Sequence, residues 1–296
     1  DDFPGAAFFL PEVQVTERDG SRWLTTAAAG SGAADRAEAR LATWKDRLAD
    51  EPAVNAKRRP GIAAREREPS QGAWRDQVGR ALESVEAGTL QKVVLAQALR
   101  VSLQSELSVT DVFARLADTY PDCYRFMFSP SDGATFYGAT PERLVSLRGR
   151  TVRTEALAGS TGRGDTPAED EWLAAELLDS TKDIHEHEIV AEAIRDQLEP
   201  FAASVRIGDR TVRRLATVQH LRTSITAELA ADEHVLSLVD ALHPTPAVGG
   251  LPPDEALRTI RETEAFDRGW YAAPVGWLDA AGNGTFAVGI RSAVAT

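Results

Sequence analysis

The stretch LQKVVLAQ at residues 90–97 opens an apolar run with an ammonium group, Lys92. A lysine acts as a base near neutral pH only where desolvation lowers its pKa, and the apolar residues after Lys92 offer such a setting. The commoner arrangement lays the stem along the surface and leaves the head in water. Asp183 and Glu186 stand three apart ahead of Ile189, Val190, Ala193 and Ile194, so two carboxylates begin one core-facing helix stripe. Inward carboxylates must be paired or bind a metal. The same spacing suits Asp183 as an N-cap with Glu186 at N3, and on this feature alone the cap is the favoured reading.

Other motifs are weaker. Glu142 in TPERL follows a proline between two strands and, taken alone, reads as an exposed turn residue. Arg291 interrupts the apolar stretch VGIRSA. A structural ion pair is the commoner reason for such an arginine, a carboxylate clamp the functional one. HEH at 185–187 puts its histidines on different helix faces with no further ligands at zinc spacing, which argues against zinc. GSTGRG at 159–164 lacks the strand-loop-helix context and the Lys-Ser/Thr ending of a phosphate loop.

The elements that must position these residues are legible as blocks. EVQVTERDGSRWLTTA alternates around Asp-Gly and predicts a hairpin. Helices are expected over GSGAADRAEARLATWKDRLAD, over AWRDQVGRALESVEAG with Trp74, Val78, Ala81, Leu82 and Val85 inward, and over SVTDVFARLADTYPD behind a serine cap. Residues 51–72 are polar and proline-bearing and read as a connection. KVVLAQALRVSL reads as one strand, and residues 124–160 as several antiparallel strands turning at SDG and RGR. Two helices follow within 168–200, then strands within 205–229, helices within 232–244 and 252–266, and a closing hairpin over 271–295. Strands and helices in blocks, without strict alternation, indicate an α+β fold with large antiparallel sheets.

The chain has 296 residues with 43% hydrophobic and 26% charged, a core-forming composition. A net charge of −12 argues against nucleic acid or an anionic membrane surface as partner. An anionic substrate would need local cations. No apolar stretch approaches the roughly 20 residues that span a bilayer, and no leader sequence is read at the start. A single cysteine, Cys123, excludes an internal disulfide and fits a reducing, cytoplasmic setting. A monomer is the default expectation.

Read in order, FFLPEV, QKVVLA, FYGATPERLV, TEALAGSTGRG, KDIHEHEIV, VQHLRT, LHPTPAVGGLP, FDRGWYAAPVGW and VGIRSA resemble the chorismate-utilising enzymes, the family of isochorismate, salicylate and anthranilate synthases. The resemblance implies one chorismate-binding catalytic domain over 1–296, with antiparallel sheets packed as a sandwich and helices outside. It implies Lys92 as the base that activates water and Glu142 as the acid that protonates the departing hydroxyl. It implies Glu186 as a Mg2+ ligand with Asp183 as a second, outer acid. Tyr271 and Arg291 would hold a substrate carboxylate, Gly159 and Ser160 would contact substrate through backbone groups, and His220 would line the pocket. Ala247 falls where salicylate and anthranilate synthases typically have threonine; with Lys92 it points to isochorismate synthase, an isomerase feeding menaquinone or siderophore synthesis. The alternatives are a salicylate synthase or an inactive family fragment.

The family chain continues past IRSA with a strand and a helix carrying a second magnesium glutamate and a lysine, and has strands before FFLPEV. This chain starts at Asp1 and stops at Thr296, so it is expected to be part of something longer. Ala273 stands where the family commonly has glycine.

Overall fold

A computed structural model describes residues 3–49, 59–131 and 133–296. The chain divides into two compact units, Phe3–Arg58 and Arg59–Thr296. In the first, β1 (Val13–Arg18) and β2 (Ser21–Thr26) form the expected hairpin, with Val13 opposite Thr26. Its turn uses Asp19 and Gly20, both at positive φ, as a two-residue hairpin turn requires. Helix α1 (Ala33–Ala49) follows, and Thr26 donates a hydrogen bond to the Ala37 carbonyl.

The second unit begins with β3 (Ile62–Glu68), α2 (Gln71–Glu86), β4 (Lys92–Val93), β5 (Ala98–Leu103) and α3 (Val109–Thr119). Next come β6 (Tyr124–Ser131), β7 (Ala134–Thr140), β8 (Arg143–Arg148) and β9 (Thr151–Gly162), then α4 (Pro167–Asp179) and α5 (Thr181–Leu198). It continues with β10 (Ala202–Arg214), β11 (Val218–Leu229), α6 (Val235–Leu242), β12 (Gly250–Leu251), α7 (Pro253–Thr263), β13 (Pro274–Leu278), β14 (Gly284–Val288) and β15 (Ser292–Ala295).

The principal sheet has the order β10-β11-β9-β8-β14-β13, antiparallel throughout. Strand β11 shows why it can carry a core on one face: Gln219, Leu221, Thr223, Ile225, Ala227 and Leu229 are buried and alternate with less buried residues, the period of a pleat. Leu144, Val152, Ala156 and Ile225 of the sheet meet Val190, Ile194 and Leu198 of α5 and Leu238 and Leu242 of α6 in one cluster. A smaller sheet, β15-β7-β6, and the pairs β3–β5 and β12–β4 complete the unit. The α+β class with antiparallel sheets is as expected.

Several local expectations are corrected. Of the residues read as a connection, 51–58 lie outside the described residues, but 62–68 form β3 paired with β5. The IAARERE sequence hides this, because nearly all of its residues are exposed and no apolar face marks it as a strand. The single strand expected over 92–103 is two, with 94–97 between them. Helix α2 buries Gln77 and Ala81 and leaves Leu82 exposed, so its inward face is rotated from the apolar one; Gln77 Nε2 reaches the Thr263 carbonyl. Asp132 of the SDG turn lies outside the described residues, while the turn at 148–150 is present with Gly149 at positive φ. The hairpin β13–β14 forms, but the tail leaves it and β15 pairs with β7. Ser108 caps α3 as predicted.

Ile194 is 1% exposed at the centre of the main cluster. Ile194→Ala should cost about 2–5 kcal/mol of stability, the range for buried aliphatic truncation, measured by denaturant unfolding.

Candidate active site

Lys92 is placed by two short strands. Leu251 of β12 lies opposite Lys92 and Gly250 opposite Val93. Gly250 has φ +150°, and a Cβ there would collide with the Lys92 carbonyl oxygen, so the pairing requires glycine. The ladder continues with Gln91 N–H to Leu251 O (2.8 Å) and Val94 N–H to Gly249 O (2.9 Å). Beside it, the buried Glu264–Arg268 pair ties the chain down from another side. Arg268 donates to Val94 O (2.7 Å) and Val248 O (2.9 Å), and Glu264 accepts from Ala96 N–H (2.8 Å). The Lys92 side chain is only 10% exposed, and its Nζ lies 3.2 Å from Glu186 Oε1. Its head therefore faces an acid, not open water.

Glu142 sits at the corner between β7 and β8. Its N–H donates to Thr140 Oγ1 (3.2 Å) and its carbonyl accepts from Val288 N–H (3.0 Å). Contrary to the exposed turn residue expected from TPERL alone, it is 5% exposed. The corner points the side chain inward, toward Thr245 Oγ1 at 3.5 Å. Burial pushes its carboxyl up to about 7, against the downward pull of Lys92, Thr245 and Arg291 and with a smaller upward push from Glu155.

The acids of α5 differ from expectation in one respect. Asp183 is not the N-cap: Ser180 caps the helix, its Oγ accepting from Asp183 N–H (3.3 Å) and donating to Asp183 Oδ2 (2.5 Å). That frees Glu186 from a capping role and turns it to Lys92. His187, not either acid, leads the buried stripe; it bonds Ala158 O and Thr223 Oγ1, while His185 is exposed. Gly159, at φ +76°, lies so close to Asp183 that a Cβ would press on it at 3.2 Å.

A polar chain runs beside these groups. Arg291 has φ +51°, a left-handed conformation unusual for a residue other than glycine, and its guanidinium donates to His220 Nε2. Because arginine only donates, Nε2 accepts and Nδ1 carries the proton, which faces Ser160 Oγ at 2.7 Å. Burial first, then the Arg291 charge, lowers the His220 pKa to about 4. The structural ion pair expected for Arg291 is not found among the described residues; its partner is neutral. Tyr271 lies with the Arg268 guanidinium 5.9 Å from its ring centre, and burial raises its phenol pKa. Ala247 packs against the main core cluster. The residue of its turn that touches Glu142 is Thr245, which the sequence reading passed over. The supporting residues Glu155, Arg213, Glu264 and Arg268 were missed too. Nothing in their local sequence distinguishes them from surface charges. The left-handed alanine is Ala272, at φ +63°, and not Ala273.

Lys92 thus meets Glu186; Ser160, His220 and Arg291 form a chain; and the Lys92 and Arg291 charges both act on Glu142. Residues 1–296 match the family model described as chorismate binding enzyme. The chain belongs to the chorismate-binding enzymes. It is 48% identical over 224 residues to the salicylate biosynthesis isochorismate synthase of Pseudomonas aeruginosa, covering 75% of this chain and 47% of that protein. It is 36% identical over 295 residues to the isochorismate synthase MenF of Bacillus subtilis, covering 99% and 62%. Among solved structures it superposes on the menaquinone-specific isochorismate synthase MenF of Escherichia coli with a TM-score of 0.84 at 27% identity, covering 97% of this chain and 66% of that one. The anthranilate synthase component I of Streptococcus pneumoniae gives 0.75 at 26% identity, covering 88% and 58%. The chain thus spans about half to just under two thirds of the length of these relatives.

For a chorismate-binding enzyme the donor chemistry of α5 is relevant. Asp183 and Glu186 are hard oxygen donors one helical turn apart, and Mg2+ is commonly held by one or two carboxylates with waters and substrate oxygens. No group of three His, Cys, Asp or Glu gathers among the described residues. The hard oxygen donors of Asp183 and Glu186 are of the type that suits Mg2+. A cavity of about 670 Å³ borders Ser160, Asp183, Glu176 and Trp172.

Two outcomes follow from this geometry. The folded protein holds the Glu142 proton to higher pH than the unfolded chain, whose reference value is 4.5. Stability is therefore lost as pH rises from 4.5 through 7, by on the order of 3 kcal/mol. Glu142→Gln lacks this loss, so its melting temperature should gain on wild type across that window and hold the gain above it. Gly250→Ala should displace β4, lowering stability by roughly 1–3 kcal/mol and abolishing turnover together, in a melting scan and an activity assay.

Proposed function

We propose that the protein is a Mg2+-dependent isochorismate synthase, an isomerase that converts chorismate to isochorismate. The observation that supports this most is the burial of Glu142, which pushes its carboxyl up to about 7 even though the Lys92 charge acts on it. A buried acid able to give a proton and a lysine shielded from open water suit a reaction that adds water at one ring carbon and expels hydroxide at another. Lys92, once neutral, removes a proton from water. The oxygen bonds to C2, the ring double bonds shift, and the C4–O bond breaks. Glu142 gives its proton to that departing oxygen, so water leaves and the sum is an isomerisation. Proton exchange with solvent returns Lys92 and Glu142 to their starting forms.

The remaining residues bind and orient. Arg291, held by neutral His220, has donors left for one substrate carboxylate, and Tyr271 would take part in holding it. Glu186, with Asp183 as the outer acid, would hold Mg2+, which neutralises and fixes a substrate carboxylate. When Glu186 turns to that duty it no longer holds the Lys92 ammonium. Gly159 and Ser160 offer backbone groups next to Asp183. Ala247, in place of a hydroxyl-bearing residue, supports stopping at isochorismate without eliminating pyruvate. With its one cysteine and acidic surface, we place the enzyme in the cytoplasm as a monomer.

The test is chorismate turnover by the complete polypeptide, with products separated by chromatography. Isochorismate alone should form, with loss on chelation, recovery on adding Mg2+, and a fall of about 10²–10⁴-fold in Lys92→Ala. Salicylate with pyruvate would replace the proposal by a salicylate synthase. No turnover by the complete chain would make it an inactive family member.

A further inference from the structure

Glu155 is an acid that none of these roles uses, yet its side chain is 1% exposed. A buried carboxylate is tolerated only when paired and hydrogen-bonded. Glu155 meets this with two arginines: Arg213 Nη1 reaches Oε1 at 2.9 Å, and Arg222 Nε reaches Oε2 at 2.5 Å. Arg213 does more than neutralise. The same Nη1 donates to the Pro141 carbonyl at 2.9 Å, and Nη2 donates to the Asp122 carbonyl at 2.8 Å. Pro141 is the residue before Glu142. The corner that carries Glu142 is thus held on three sides: by Thr140 Oγ1, by Val288 N–H, and by a guanidinium whose orientation Glu155 sets.

We propose that Glu155 and Arg213 are a positioning pair for Glu142, fixing the Thr140–Pro141–Glu142 corner so that its carboxyl meets the reacting oxygen. The proposal rests on reading Glu142 as the general acid. Removing Glu155 would release the Arg213 fork from its aligned position, and misplacement of an acid by a fraction of an ångström lowers the rate without weakening substrate binding. The pair also bears on proton affinity. The charged or titratable groups facing Glu142 are Lys92 on β4, Arg291 ahead of β15, Tyr271 ahead of β13, and Glu155 on β9. Of these, Glu155 acts to keep Glu142 protonated, while Lys92 and Arg291 oppose it.

The experiment compares Glu155→Gln, Glu155→Asp, Arg213→Lys and Glu142→Gln with wild type in the complete Mg2+-loaded enzyme. It reads kcat, KM for chorismate, the pH dependence of kcat/KM, and the melting temperature. Glu155→Gln should lower kcat roughly tenfold or more with KM within about twofold, and its alkaline limb should move to lower pH. Arg213→Lys keeps the charge but not the fork, so kcat should fall with a smaller move of the limb. Glu155→Asp should recover part of kcat. If kcat and limb stay at wild-type values, or kcat falls only in step with melting temperature while the limb stays fixed, the positioning role is overturned and the pair is structural. Glu142→Gln separates the two layers. If it retains turnover and the alkaline limb, the general-acid reading fails, and with it the basis of the proposal. If it loses both while Glu155→Gln changes neither, only the positioning proposal fails.

Discussion

The structure depends most on the withdrawal of Glu142 from water. A carboxyl at 5% exposure with one long hydrogen bond, at 3.5 Å, gains little by ionising, and it keeps its proton to about pH 7. Much of the surrounding arrangement accommodates this. Lys92 and Arg291, which would ionise it, are each held by another partner, Glu186 and His220. Had Lys92 paired directly with Glu142, a buried ion pair would have held both groups charged.

Backbone placement is the second constraint. Lys92, Glu142 and Arg291 sit on short pieces: a two-residue strand, a corner, and a left-handed residue between β14 and β15. Such pieces have few ladder hydrogen bonds of their own. Arginine forks replace them. Arg268 spans Val94 and Val248 beside Lys92, and Arg213 spans Asp122 and Pro141 beside Glu142, each with a buried glutamate behind it. Breaking such a pair by removing one partner leaves a buried charge unpaired. These pairs therefore join stability to the geometry of the site.

The sequence made the outer frame legible and left the inner contacts hidden, for a physical reason. The hairpin around Asp19-Gly20, the cap at Ser108 and the stripe through Val190 and Ile194 each follow from local rules, and each is present. Strand β3 was invisible because IAARERE has no apolar alternation. Glu142 reads as exposed because burial of a polar residue is decided by distant partners: Thr245 lies 103 residues beyond Glu142, just as Thr263 lies 186 beyond the buried Gln77. The motif order carried the family, but no motif indicates which arginines pair with the buried Glu155 and Glu264.

The Ser160–His220–Arg291 chain shows how a neutral histidine can serve an anion site. A protonated His220 would repel Arg291 and have no lone pair to offer it. Burial and the arginine itself hold its pKa near 4, so imidazole stays neutral across the working range and acts as an acceptor at Nε2. Accepting there forces the proton onto Nδ1, and that proton meets Ser160 beside the Gly159 turn. One tautomer thus orients both the Arg291 guanidinium and the Ser160 hydroxyl, and the guanidinium is held by a neutral partner and not by an ion pair.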